Sequence, residues 1–268
     1  MLLVMDVGNT NTVLGVYEKT HLLAHWRLTT VRDRTVDEYG ILARNLLTLA
    51  SIEAAAIDAL IVASVVPPLN SVLESMARVY FKLKPLFVEP GVKTGMPILY
   101  DNPQEVGADR IVNGVAAFER CRSAAIVVDF GTATTFDAIS AKGEYLGGAI
   151  APGLSISAEA LFERAARLPR VDIRRPPNVI GRNTTHSLQA GLFFGYIALV
   201  QGILERMRQE MAAPVRTIGT GGLVSPLEAE LRTILDDLDP TLTLDDVVAA
   251  AKLAQEKPGQ TLQATALV

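Results

Sequence analysis

The chain has 268 residues, 49% hydrophobic and 20% charged, with net charge −4; it can bury a large core and shows no signature of disorder or of a nucleic-acid surface. Cys121 is the single cysteine, which excludes an internal disulfide and suits a reducing cytosol. No apolar run approaches the ~20 residues of a membrane-crossing helix, and Met1–Met5 lacks the basic region of a signal peptide. The expected location is the cytoplasm, with no membrane partner.

In chain order, Leu2–Asp6 and Thr12–Tyr17 read as a hairpin, with Leu22–Leu28 as a third strand. Val36, Tyr39, Leu42, Leu46 and Leu49 recur at helical spacing and predict a helix over 36–50. Ile57–Val66 reads as a buried parallel strand that Pro67-Pro68 ends in a loop. A helix over Leu69–Tyr80 and a short strand over Pro85–Glu89 come next, then a Gly/Pro-rich loop over Gly91–Pro103. Ile111, Val115 and Phe118 share one face of the next helix. The second half repeats the scheme. Ala125–Asp129, Phe136–Ser140 and Tyr145–Ile150 read as strands, Ile156–Arg167 as a helix and Pro169–Pro177 as a basic loop. Leu188, Leu192, Leu199, Ile203 and Met207 mark a long apolar-striped helix, and Val215–Ile218 the last strand. Strands alternating with helices predict α/β architecture.

Two stretches are nearly the same. Val4-Met5-Asp6-Val7-Gly8-Asn9-Thr10-Asn11-Thr12 and Val127-Val128-Asp129-Phe130-Gly131-Thr132-Ala133-Thr134-Thr135 lie nearly half a chain apart. Each is a strand that ends in Asp and turns through Gly and hydroxyl residues. Such a turn offers backbone N–H groups and hydroxyls to a phosphate, and the Asp can hold a cation on it. A hairpin capped by Asn and Thr would use the same residues. The second copy favours phosphate, because hairpin turns have no reason to share a strand-end Asp. A nucleotide between two related domains is the implied arrangement.

Gly107-Ala108-Asp109-Arg110 opens a helix. Asp109 and Arg110 are either a capping acid and a solvated base or a general base beside an anion grip. Gly219-Thr220-Gly221-Gly222 lies after the last strand and lacks a dinucleotide fingerprint. It is either a surface for adenine or ribose or a plain turn. Thr184 reads as the N-cap of the long helix. His21, His25 and His186 have no metal-ligand spacing, and His186 reads as structural.

Together, Asp6-Val7-Gly8-Asn9-Thr10, Gly107-Ala108-Asp109-Arg110, Asp129–Thr135 and Gly219-Thr220-Gly221-Gly222-Leu223 resemble, in order, the motifs of type III pantothenate kinases. The resemblance covers about residues 1–245. It implies an α/β fold of duplicated ribonuclease-H-like domains in the actin/hexokinase/Hsp70 superfamily, here 1–118 and 119–268, with nucleotide in the interdomain cleft. It implies ATP-dependent phosphorylation of pantothenate at its terminal hydroxyl, the first step of coenzyme A synthesis, by a cytoplasmic homodimer. Carried over, it assigns Asp6, Val7, Gly8, Asn9, Thr10, Asn11, Thr12, Val13 and Thr132 to ATP. Tyr100, Gly107, Ala108, Asp109 and Arg110 become pantothenate contacts, with Asp109 the proton acceptor. Asp129 resembles the ligand of a monovalent cation, K⁺ or NH₄⁺, and Thr184 a substrate contact supplied by the partner subunit. Mg²⁺ accompanies the nucleotide, with Asp6 nearest to it, through water. Two alternatives stand: another small-alcohol or sugar kinase of the same fold, and a non-catalytic transcription regulator related to the family. The intact acids at 6, 109 and 129 argue against the second. Residues 246–268 depart from the family pattern.

Overall fold

The computed structural model describes residues 1–19, 21–88, 96–165, 167–239 and 242. Residues 91–95 of the expected Gly/Pro-rich loop, Glu89 at the end of the strand expected before it, and the atypical 246–268 tail lie outside them. The chain divides into two units, Met1–Met96 with Asp101–Ala116, and Pro97–Tyr100 with Ala117–Leu242.

The first unit carries strands β1 (Leu2–Val7), β2 (Asn11–Glu18), β3 (His21–Thr29), β4 (Ala59–Ser64) and β5 (Leu86–Val88), in sheet order β3-β2-β1-β4-β5. β1, β2 and β3 are antiparallel neighbours, while β4 runs parallel to β1 and β5 to β4. β1 is central and buried on both faces. Leu3, Met5 and Val7 join one core with α1 (Val36–Leu49) and α2 (Pro67–Met76); Leu2 and Val4 join another with Val112 of α3 (Ala108–Cys121). That is why β1 reads as a continuous apolar run ending in a polar residue. Thr35 and Glu38 close a reciprocal capping box on α1. Pro67-Pro68 does not lead into a loop: the prolines occupy the first helical positions of α2, where a missing N–H costs nothing.

The second unit repeats the topology. β6 (Ala125–Phe130), β7 (Ala133–Ile139), β8 (Tyr145–Pro152), β9 (Arg216–Thr220) and β10 (Asp237–Leu238) give the order β10-β9-β6-β7-β8; β6, β7 and β8 are antiparallel neighbours, while β9 runs parallel to β6 and β10 to β9. In each unit the strands stand third, second, first, fourth, fifth, so the two units repeat one topology. Helices α4 (Leu154–Arg164), α5 (Thr184–Met211) and α6 (Val224–Leu231) flank this sheet, and its core takes Ile126, Val128 and Phe130 of β6.

Three expectations change here. Gly219 and Thr220 belong to β9 rather than to the turn after it, and β10 comes later in the chain. The N-cap of α5 is Asn183, whose Oδ1 accepts the His186 N–H at 2.8 Å, so Thr184 is the first helical residue and not the cap. By length and composition, α5 could cross a membrane, contrary to the expectation that no run comes close. Its Leu192, Phe193, Tyr196, Val200 and Leu204 are buried in the second unit's core, and a core helix passes the same test.

Candidate active site

Asp6 stands half-buried near the carboxyl end of β1, flanked by Val13 of β2 and Ala63 of β4. Ligands of open α/β sheets gather at this end of the strands. Beyond it the chain turns at Gly8, whose N–H donates to the Asn11 carbonyl at 2.9 Å. A Cβ at Gly8 would press within 3.1 Å of that oxygen, so the tight turn favours glycine. Asn9, Thr10 and Asn11 form an exposed tip. Thr12 points inward and is fully buried; its hydroxyl meets that of Thr30 at 2.8 Å. The Thr30 hydroxyl donates to the Gly8 carbonyl at 2.7 Å and its N–H to the Thr10 carbonyl at 2.8 Å. Thr30, just past the end of β3, therefore braces the turn. Sequence reading missed it, since nothing local marks a Thr after a strand as the clamp of a turn 20 residues upstream. Val7 packs in the core, and its carbonyl accepts the Val65 N–H at 3.0 Å, holding the end of β4 beside β1.

Gly107, Ala108, Asp109 and Arg110 lie at the start of α3 in the same unit. A Cβ on Gly107 would stand 3.9 Å from the Val65 side chain and 2.5 Å from Asp109 Oδ1. Through Val65, the Asp109 turn and the Asp6 turn share one end of one sheet. Asp109 Oδ1 accepts the Arg110 N–H at 2.8 Å. Burial raises the Asp109 carboxyl above the usual aspartate value, against the lowering influence of the Arg110 N–H and guanidinium. A half-desolvated carboxyl with raised proton affinity, at a helix start that favours an anionic ligand, is equipped to take a proton.

In the second unit, Asp129 is the last but one residue of β6, between Thr135 of β7 and Thr220 of β9. Backbone turns crowd it. The Gly131 N–H donates to the Ala133 carbonyl at 3.1 Å, and the Leu223 N–H to the Phe130 carbonyl at 3.1 Å. Gly221 has φ +102°, and a Cβ there would lie 2.4 Å from Asp129 Oδ1. A Cβ on Gly153 would come 2.1 Å from the Thr132 carbonyl and 2.7 Å from that of Gly131. Thr132 is the exposed tip of this turn. The register pairs Phe130 with Thr134 where the first unit pairs Val7 with Thr12, so the second turn is one residue shorter. The buried threonines that correspond are thus Thr12 and Thr134, although Thr135 matches by count from the glycine. Thr134 is hydrogen-bonded to Tyr196, whose phenol is pushed up to about 12 by burial, with Asp129 adding to the rise.

The donor sets can be tested against the implied ions. Thr220 Oγ1 is buried and makes no hydrogen bond among the described residues, on the strand beside Asp129. A carboxylate next to an unbonded hydroxyl fits a hard monovalent cation, which would satisfy both. Asp6 offers a single carboxylate, which fits a Mg²⁺ that keeps most of its waters and phosphate ligands. Tyr100 sits against β8 in the second unit. Thr184 is exposed at the start of α5.

A profile of the family described as type III pantothenate kinase matches residues 2–206. The chain belongs to the type III pantothenate kinase family. A type III pantothenate kinase of Koribacter versatilis (strain Ellin345) is 60% identical over 255 residues, which cover 91% of this chain and 93% of the relative. Family membership carries the reaction class, phosphotransfer to pantothenate in coenzyme A biosynthesis. Two solved structures share the fold at low identity. A conserved Baf family transcriptional activator of Campylobacter jejuni aligns with TM-score 0.56 at 20% identity, over 96% of this chain and 98% of that one. Component A of the (R)-2-hydroxyglutaryl-CoA dehydratase of Acidaminococcus fermentans gives TM-score 0.55 at 12% identity, over 95% and 99%. What these structures share with the chain is the fold.

Proposed function

We propose that this chain transfers the γ-phosphoryl group of ATP to the terminal hydroxyl of pantothenate, with Asp109 as general base. The observation that carries the reading is Asp109 itself: a carboxyl whose proton affinity is raised by burial, at the same sheet end as the Asp6 turn. The tip at Gly8, Asn9, Thr10 and Asn11 receives the phosphates of ATP, while Asp6, Val7, Thr12 and Val13 form and support that turn. Thr132 contacts the nucleotide from the second turn. Tyr100, Gly107, Ala108 and Arg110 hold pantothenate, with the Arg110 guanidinium suited to its carboxylate. Asp109 accepts the hydroxyl proton as that oxygen bonds to the γ-phosphorus and the bond to ADP breaks. Asp6 would hold Mg²⁺ through water, and Asp129 with Thr220 a K⁺ or NH₄⁺; these ions supply positive charge near the phosphates. Catalysis is then mostly positioning and charge stabilisation.

Incubation with ATP, Mg²⁺, K⁺ and pantothenate should give one new product, pantothenate plus one phosphate by mass. Failure to form it would overturn the reading. Because Asp109 must be ionised to act, and burial raises its pKa, the acid limb of kcat/KM should fall above the ~3.9 of an ordinary aspartate. Arg110→Ala removes a lowering influence and should move that limb further up. A limb at the ordinary value in both would remove Asp109 from the base role. Gly153→Ala should push a methyl into the second turn, cost about 1–3 kcal/mol of stability in urea unfolding and raise the KM for ATP. Unchanged stability and ATP KM would show that the turn has room.

The enzyme is proposed to be a cytoplasmic homodimer with a shared site. Only 39% of the most apolar stretch of α5 is buried within the chain. Gly191 and Gly195, about one helical turn apart, face open space, and Val179 and Ile180 are 65% and 84% exposed just before Thr184. Small residues facing outward on an apolar helix allow a close helix–helix approach. Gly195→Arg should convert a dimer to a monomer in light scattering and abolish activity. A dimer that persists with full activity would move the interface elsewhere. Mixing inactive Asp109→Asn with inactive Thr184→Arg subunits should restore some activity, since one hybrid site carries neither lesion. No rescue despite demonstrated exchange would defeat the shared site.

A further inference from the structure

Asp137 has no task in the reaction as described, yet it is fully buried in β7. Hydroxyls meet both of its oxygens: Tyr145 donates to Oδ1 at 2.8 Å and Thr135 to Oδ2 at 3.1 Å. Burying a carboxyl is costly unless such donors are supplied. The β7–β8 pairing does not need the group, since the two strands already pair from Ala133 to Ile139.

Tyr145, also fully buried, links Asp137 to another segment. Its N–H donates to the Pro97 carbonyl at 2.8 Å, its carbonyl accepts the Leu99 N–H at 2.8 Å, and it bridges Ile98 in parallel. Its ring centre lies 6.4 Å from that of Tyr100, the planes tilted by 55°. Gly147, at φ +123°, lies under the Tyr100 ring, where a Cβ would stand 3.6 Å from two ring carbons. Residues 97–100 are thus an extra edge segment seated on Tyr145, and Asp137 fixes the far end of the Tyr145 side chain.

We propose that Asp137 and Tyr145 are positioning residues that set the place of Tyr100 and, through it, the affinity for pantothenate. The proposal rests on the reading of Tyr100 as a pantothenate contact. Tyr145→Phe keeps the ring and removes only the hydroxyl that locks its tilt. It should raise the KM for pantothenate roughly 3- to 10-fold, the weight of one hydrogen bond, and leave the KM for ATP and the kcat at saturation unchanged. Asp137→Ala should do the same. Asp137→Asn should restore most of the affinity, because its Oδ1 still accepts from Tyr145 and its amide can donate to Thr135. Exchange of the Leu99 amide should quicken in Tyr145→Phe, a readout independent of substrate. If Asp137→Ala fails to fold, Tyr145→Phe carries the test. Tyr100→Ala should raise the pantothenate KM by itself and make Tyr145→Phe silent in the double variant. If Tyr100→Ala leaves that KM alone, the substrate role of Tyr100 falls and the proposal with it. If Tyr100→Ala raises it while Tyr145→Phe does not, or Tyr145→Phe moves both KM values together, the positioning role alone is overturned.

Discussion

Asp109→Asn is expected to lower kcat by roughly 10²–10⁴, the usual worth of a general base, and to leave the fold intact. The amide oxygen can still accept the Arg110 N–H that Asp109 Oδ1 accepts at 2.8 Å. Stability should move the other way. The folded-state pKa of Asp109 lies above its unfolded value because burial penalises the charge. Folding therefore favours the protonated form, and that stability is present at low pH and lost as pH rises through the folded-state pKa. At neutral pH the wild-type protein keeps a half-desolvated charge that asparagine lacks. The variant should unfold at an equal or higher temperature than the wild type while being nearly inactive, a pairing typical of a functional group held against stability. Near-normal turnover would return Asp109 to a helix-end acid; a large fall in melting temperature would mark it as structural.

The second large effect concerns the monovalent cation. Turnover should rise on the order of 10²-fold from Na⁺ or Tris to K⁺ or NH₄⁺, comparable to one well-placed charge in a phosphate site. Asp129→Ala should abolish the response. Thr220→Val is the finer test, because it replaces a buried hydroxyl that makes no hydrogen bond among the described residues by a methyl of similar size. Without K⁺ it should be as stable as the wild type or more so. With K⁺ the wild type should gain melting temperature by linkage, and Thr220→Val should gain less and need more K⁺ for half-maximal rate. Equal rates and melting curves in all monovalent salts would remove the cation from this site.

Much of the fold was legible because the repeat is a local signal. A β-branched strand that ends in Asp and turns at Gly can be recognised twice in one chain, and each copy became the central strand of its sheet. The α/β class was legible from the alternation of elements. The features that were not legible depend on contacts distant in sequence or on backbone detail. Counting from the glycine equated Thr12 with Thr135, but the ladder equates it with Thr134, because the second turn is one residue shorter. The two prolines at 67–68 read as a stop, but proline breaks a helix only in its interior and is welcome in the first turn, where these two stand. Asn183 and Thr184 are both good capping residues, and only the backbone chooses between them. Thr30, Gly153 and Asp137 carry no motif, and Thr220 stood in a glycine motif without a role of its own: the first braces a turn from beyond another strand, the second makes room for one, and the others matter through a strand neighbour. The pantothenate specificity came through resemblance to a family, since a strand-end Asp and a glycine turn serve many phosphate acceptors.

The most direct measurement is a coupled assay of ADP release at millimolar ATP with Mg²⁺ and K⁺, run with and without pantothenate on the wild-type chain and on Asp109→Asn. The expected result is ADP release that requires pantothenate, saturates with it and nearly vanishes in Asp109→Asn. No pantothenate-dependent release by the wild type, or equal release by both proteins, would contradict a pantothenate kinase with its base at Asp109.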